Sequence, residues 1–177
     1  RRVEIEVPPG TAEPDRPATP APGSLPPAAP TVTPGPDEVA AVEVVPNEGT
    51  GERIRVAVVR ASAERDLRLV RVDLRLTYEG ATDRSRRSLR AAEALGLPGD
   101  RGNGARELRL VDPATGVRAA PTTDQQGNCL CADEIGQALV QGTPDRLSVW
   151  FPWPGAEGPT VALLVPRVGL LPDLPVT

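Results

Sequence analysis

From residue 38 onward, apolar and polar side chains alternate with a period of two. Ala40, Val42 and Val44 stand against Ala41, Glu43 and Val45, and Ile54, Val56 and Val58 against Arg53, Arg55 and Ala57. The clearest run puts Val70, Val72, Leu74, Leu76 and Tyr78 on one side and Arg71, Asp73, Arg75 and Thr77 on the other. An antiparallel strand with one buried and one wet face shows this alternation. Turn-forming residues divide the runs, first Asn47-Glu48-Gly49-Thr50-Gly51 and then Ser62–Asp66. Further strand signals cover Glu107–Val111, Val117–Ala120, Leu147–Trp153, Val161–Val165 and Val168–Leu171. Asp112-Pro113-Ala114-Thr115-Gly116 reads as a turn, with Pro early and Gly late. Many short strands with turns between them predict an all-β fold, a two-sheet antiparallel sandwich.

Two segments depart from that period. Over residues 82–95 a short helix is expected, capped by Thr82 or Asp83, carried by Leu89, Ala92 and Leu95, and stopped at Gly96-Leu97-Pro98-Gly99. Residues 8–36 hold eleven of the chain's 22 Pro, among Ala, Thr and Gly. That composition favours extended polyproline II, so a semi-rigid spacer of roughly 90 Å is expected there. Ahead of it Val3-Glu4-Ile5-Glu6-Val7 alternates like a lone strand. The organisation predicted is a Pro-rich linker over residues 1–36 and one β-sandwich domain over residues 37–177.

Composition narrows the chemistry. The 177 residues include no His, no Met and two Cys. Imidazole-based catalysis and imidazole metal ligation are therefore excluded, as is a four-cysteine zinc site within one chain. No run of eighteen apolar residues is present, so no transmembrane segment is expected in this chain. The chain opens on Arg1-Arg2, which leaves room for a signal or lipid-anchor segment ahead of it. The net charge of −4 points to no partner by itself, but residues 52–109 carry fourteen Arg against nine acids. Every basic residue is Arg, which fits a GC-rich genome.

The second half of the chain carries a resemblance. It reads Leu110-Val111-Asp112-Pro113-Ala114-Thr115-Gly116, then Gly127-Asn128-Cys129-Leu130-Cys131-Ala132, then Val149-Trp150-Phe151-Pro152-Trp153-Pro154. Leu163-Leu164-Val165-Pro166 and Leu174-Pro175-Val176 close it, and Asp73-Leu74-Arg75-Leu76-Thr77-Tyr78-Glu79-Gly80 stands as the central strand. This order resembles an immunoglobulin-like extracytoplasmic domain of high-GC Gram-positive envelope proteins, a domain often found next to OmpA-like peptidoglycan-binding domains. The resemblance implies an immunoglobulin-like sandwich placed outside the cytoplasm, secreted or anchored at the cell surface. It transfers fold and compartment, not a ligand.

Candidate site residues fall in three groups. Cys129 and Cys131 are two apart, so on a strand they leave one face. A structural disulfide clip is expected, since no third Cys competes and the exterior is oxidising. A redox-active pair, a two-thiolate metal site and unpaired thiols are the alternatives; the lack of Met and His weighs against metal. Arg53, Arg55, Arg71 and Arg75 lie on wet strand faces and form a basic stripe, broken by Asp73, if their strands are neighbours. Arg84, Arg86, Arg87 and Arg90 add a second cluster on the expected helix. Such faces serve solubility or contact an anionic polymer. Without interleaved aromatics, nucleic acid is not an expected partner. Among the aromatics Trp150 is expected in the core, and Trp153, between Pro152 and Pro154, is the candidate contact residue.

The carboxylates form no recognisable acid/base pair; Asp112 and Asp124 are expected to cap turns. The chain is thus expected to be a non-catalytic interaction module without cofactor or metal. Its expected partners are another envelope protein or an anionic cell-wall polymer.

Overall fold

The computed structural model describes residues 25–45, 51–80, 88–89, 104–127, 129–132, 139–154, 158–166 and 168–177. The strand-like stretch 3–7, the spacer up to residue 24, the Asn47–Thr50 turn and the Arg84–Arg90 cluster lie outside them. Twelve strands run through the described residues. In chain order they are β1 (Thr31–Val32), β2 (Ala40–Val44), β3 (Arg53–Glu64), β4 (Leu69–Glu79), β5 (Ser88–Leu89) and β6 (Arg109–Val111). Then come β7 (Arg118–Ala119), β8 (Cys131–Ala132), β9 (Leu139–Val140), β10 (Asp145–Pro152), β11 (Thr160–Val165) and β12 (Gly169–Pro175). One sheet has the order β1-β2-β3-β4-β10-β8, the other β12-β11-β6-β7, and β5 pairs with β9 alone. All these pairings are antiparallel.

The period of two converts directly into burial. On β4, Val70, Val72, Leu74, Leu76 and Tyr78 are buried, as are Ile54, Val56 and Val58 on β3. From the other sheet Leu110, Leu163, Leu171 and Leu174 meet them in one continuous core. The structure is therefore an all-β two-sheet sandwich, as the alternation predicts.

Three local features differ from the sequence expectation. First, the register of β3 against β4 shifts between Val58 and Arg60, so Val59 is an extra residue. Past this bulge Ala61 pairs with Val72, and β3 continues through Glu64, into the stretch Ser62–Asp66 expected as a turn. The turn is instead a 3-10 segment, Arg65–Leu67, closed by Arg68 in the left-handed region at φ 52°. Second, of the helix expected over 82–95 only Ser88–Leu89 lies within the described residues, and it is a strand paired with Leu139–Val140. Third, the end of the Pro-rich segment belongs to the domain. Ala29 is buried, the Ala29 amide donates to the Leu170 carbonyl at 2.9 Å, and β1 pairs with β2. The extended backbone that Pro favours is close to strand geometry, and Ala28, Ala29, Thr31 and Val32 retain the amides that pairing needs.

The N-terminal segment thus touches one sheet at Leu170 and enters the other as β1. The C-terminus makes a second tie, following β12. Val176 and Thr177 run parallel to β3 past the end of β2, with Ala63 donating to the Thr177 carbonyl at 2.9 Å and Thr177 to that of Ala61 at 3.1 Å. Both ends of the described chain therefore tie the two sheets together.

Candidate functional site

The outer face of the six-stranded sheet collects the charged residues. β4 pairs with β3 on one side and β10 on the other, so their wet-face positions form three adjacent rows. Arg53, Arg55, Arg71 and Arg75 do lie on neighbouring strands, but they form no continuous stripe. Arg53 reaches Glu43 at 3.4 Å, with its side chain 60% exposed. Arg55 binds the Glu38 carboxylate at 2.5 Å and donates to the Thr33 carbonyl at 2.9 Å. Arg75 approaches the other oxygen of Glu38 at 3.3 Å. That carboxylate also accepts the Gly35 amide at 2.8 Å. The Arg55 hydrogen bond holds the Glu38 carboxyl below its usual range, outweighing burial, with help from the Gly35 amide and the charges of Arg55 and Arg75.

Asp73 organises the next group along β4. Arg71 Nε donates to it at 2.7 Å, Ser148 Oγ at 2.6 Å, and Arg60 Nη2 at 3.2 Å from across the bulge. Burial would raise the Asp73 carboxyl, but these donors, Ser148 and Arg71 foremost, carry it below its ordinary value. Arg71 is fixed further by Ser148 Oγ at 3.2 Å and by the Trp150 ring, whose centroid lies 5.2 Å from the guanidinium carbon. Of the four predicted arginines, Arg53, Arg55 and Arg71 are thus engaged with carboxylates, and Arg75 partly so.

Beside Asp73 the face opens into a depression of about 460 Å³. Arg60, Arg71, Arg75 and Arg146 line it together with Asp37 and Asp73, four guanidiniums to two carboxylates. The structure brings Arg71 and Arg75 into this site and leaves Arg53 and Arg55 outside its lining. It adds Arg60 and Arg146, which the sequence did not single out. Under unbroken alternation from Ile54, Arg60 falls on the inner face; the bulge at Val59 turns it outward. Arg146 stands on the wet face of β10 one residue ahead of the strand expected from Leu147, and counting that strand backward is the signal that finds it.

Among the aromatics, Trp150 departs from the expected core placement. Val149 and Phe151 are buried, so Trp150 between them faces outward, half-buried under Arg71. Trp153 is also half-buried, but it packs against the core, and its amide donates to the Arg68 carbonyl at 3.1 Å. The expectation of Trp150 in the core is corrected, and Trp153, the candidate contact residue, is half-buried with part of its surface against the core. On a strand only every second residue enters the core, and Val149 and Phe151 set that phase.

Cys129 and Cys131 are joined in a disulfide, with Cα atoms 5.3 Å apart. That is shorter than the roughly 6.6 Å of two extended residues, so the backbone between them is not fully extended, and the Leu130 side chain is exposed at 44%. Cys129 is buried and Cys131 packs against the core. The Leu130 backbone is held on both sides. Its amide donates to Thr122, the Trp150 amide donates to its carbonyl, and Thr122 donates to the Trp150 carbonyl.

Asp112 and Asp124 cap turns as expected. Asp112 accepts Thr115 Oγ1 at 2.6 Å and the Ala114 amide at 2.9 Å, and Asp124 accepts the Gln126 amide at 2.9 Å. Glu52, a buried carboxylate the sequence did not flag, accepts the Tyr78 hydroxyl at 3.1 Å. Among the described residues no helix is long and apolar enough to cross a membrane. No protein-family model, no curated protein and no solved structure matches the chain.

Proposed function

We propose that this domain is a non-catalytic interaction module of the bacterial cell envelope, an immunoglobulin-like sandwich working outside the cytoplasm. The observation that carries the reading is the cationic depression on the outer face of the six-stranded sheet. Elsewhere on that face the predicted arginines are matched by carboxylates; here guanidiniums outnumber them. A fixed excess of one sign in a concave site favours a partner of the other sign. The partner class this supports is an anionic envelope polymer, or an envelope protein presenting acidic groups. The Cys129–Cys131 bond supports an oxidising compartment. Its placement against the core supports a clip rather than a redox centre, because exchange requires access to the sulfur. The two antiparallel sheets, with the segment ahead of β1 bridging to Leu170 of the other sheet, support the immunoglobulin-like assignment.

The test is co-sedimentation of the purified chain with cell envelopes of a high-GC Gram-positive bacterium over a range of salt concentrations. Retention at low ionic strength that weakens as salt rises is expected. Absence from the pellet at low salt, or turnover of a dithiol substrate, overturns the reading.

A further inference from the structure

Resting on that reading, the geometry points to a tetrahedral phosphate group as the ligand, held between Arg75 and Arg146. The two arginines are directly opposed in the register of β4 against β10. Directly opposed residues have Cβ atoms about 4.5–5.5 Å apart, and like charges there destabilise the sheet. Their natural counter-charges are occupied. Asp73 is taken up by Arg71, Ser148 and Arg60, and Glu38 is shared between Arg75 and Arg55. Asp37, at the rim, forms no ion pair with either arginine, and Arg146 is exposed and has no carboxylate partner among the described residues. Arg75 Nε is buried and has no acceptor among the described residues. Arg146 therefore carries an uncompensated charge directly opposite Arg75, whose Glu38 counter-ion is shared with Arg55, inside a depression also lined by Arg60.

Guanidinium forks bind carboxylate or phosphate through paired N–H donors. A carboxylate has two oxygens in one plane, which one fork satisfies. A phosphate spreads its oxygens tetrahedrally, so forks from two strands can each engage it. The depression lies within the range of about 300–1,000 Å³ typical of small-molecule sites. It has room for the sugar or polyol carrying the phosphate. Both a terminal phosphate and a phosphodiester in a polymer supply this chemistry.

The experiment is calorimetric titration of the full chain, in low-salt buffer, with glycerol phosphate, with short poly(glycerol phosphate), and with oligogalacturonate as the carboxylate control. At least one phosphate probe is expected to saturate one site, and oligogalacturonate to bind more weakly. Tighter binding of the monoester identifies a terminal phosphate, and tighter binding of the oligomer a phosphodiester chain. Arg146→Gln and Arg75→Gln should each weaken phosphate binding about tenfold or more, since each removes charge-assisted hydrogen bonds. Arg118→Gln, on the other sheet, should not change it. Arg146→Gln should also raise the thermal midpoint by relieving the opposed like charges, where loss of a merely structural residue lowers it. No phosphate binding, equal or better binding of oligogalacturonate, or unchanged affinity in Arg146→Gln overturns the site. Envelope co-sedimentation of the same variant separates the two claims. Undiminished retention of Arg146→Gln removes the site and leaves the module reading standing, and phosphate binding without envelope retention does the reverse.

Discussion

Glu38 holds two strands' arginines with one carboxylate, and replacing it tests how the charged face is held. In Glu38→Gln the side chain keeps its size and some hydrogen-bonding capacity but loses its charge, so Arg55 and Arg75 lose the counter-ion they share. The Glu38 side chain is 8% exposed, and those of Arg55 and Arg75 are 24% and 26% exposed. Breaking a fully buried pair costs about 3–5 kcal/mol, whereas an exposed pair is worth about 0–1 kcal/mol. The partial access of water to both guanidiniums places the expected loss between these, at about 2 kcal/mol. For a chain of this size that lowers the thermal midpoint by about 4–8 °C. The pH dependence gives a second handle. The folded Glu38 carboxyl lies below its ordinary value of 4.5, so its contribution is fully present above that pH. The contribution is lost as pH falls below 4.5 toward the folded value, where folding no longer favours the ionised form. Urea denaturation at pH 7 and at steps below pH 4.5 should therefore show the gap between wild type and Glu38→Gln narrowing with acid. A gap under about 0.5 kcal/mol at pH 7, or one that does not change with pH, would refute this account.

Three further expectations follow from the packing. Leu74→Ala, at a side chain 4% exposed inside the shared core, should cost about 2–5 kcal/mol by cavity formation, measured by urea midpoint; a surface-like cost would mean that β4 is out of register. Gly80→Ala should cost about 2 kcal/mol or more in the same assay, since Gly80 sits at φ +82° and a Cβ there would clash with the Gly51 carbonyl oxygen. Replacing Cys129 and Cys131 together by Ala should cost only about 1–2 kcal/mol in bridge stability, because so small a ring removes little unfolded-chain entropy. Intact mass after alkylation without reductant should show no modified thiol in the native protein, and two modified thiols would remove the clip.

The β content, the inner face of β4 and the turn at Asp112 were legible in the sequence because each depends on local rules. Alternation decides which side of a strand meets the core, and Asp, Pro and Gly shape a turn with their own atoms. The Cys129–Cys131 bond was expected because no third Cys competes and the expected exterior is oxidising, and the two are joined. The site was only half legible. Arg71 and Arg75 announced themselves as wet-face positions, but which carboxylates they meet depends on strand order and register. β4 pairs with β10, seventy residues away in the chain, and only that pairing sets Arg146 against Arg75 and Ser148 against Asp73. The bulge at Val59 reverses the face of Arg60, and one inserted residue leaves no trace in a count of apolar positions. The phase of Trp150 and the docking of Ala29 on β12 were likewise decided by which neighbouring surface was left to cover. A chain's periodicity specifies faces, because it is a property of consecutive residues. Charge neutralisation is a property of pairs brought together across long loops, so the tertiary structure alone decided which arginines are spent on the fold and which remain open to a ligand.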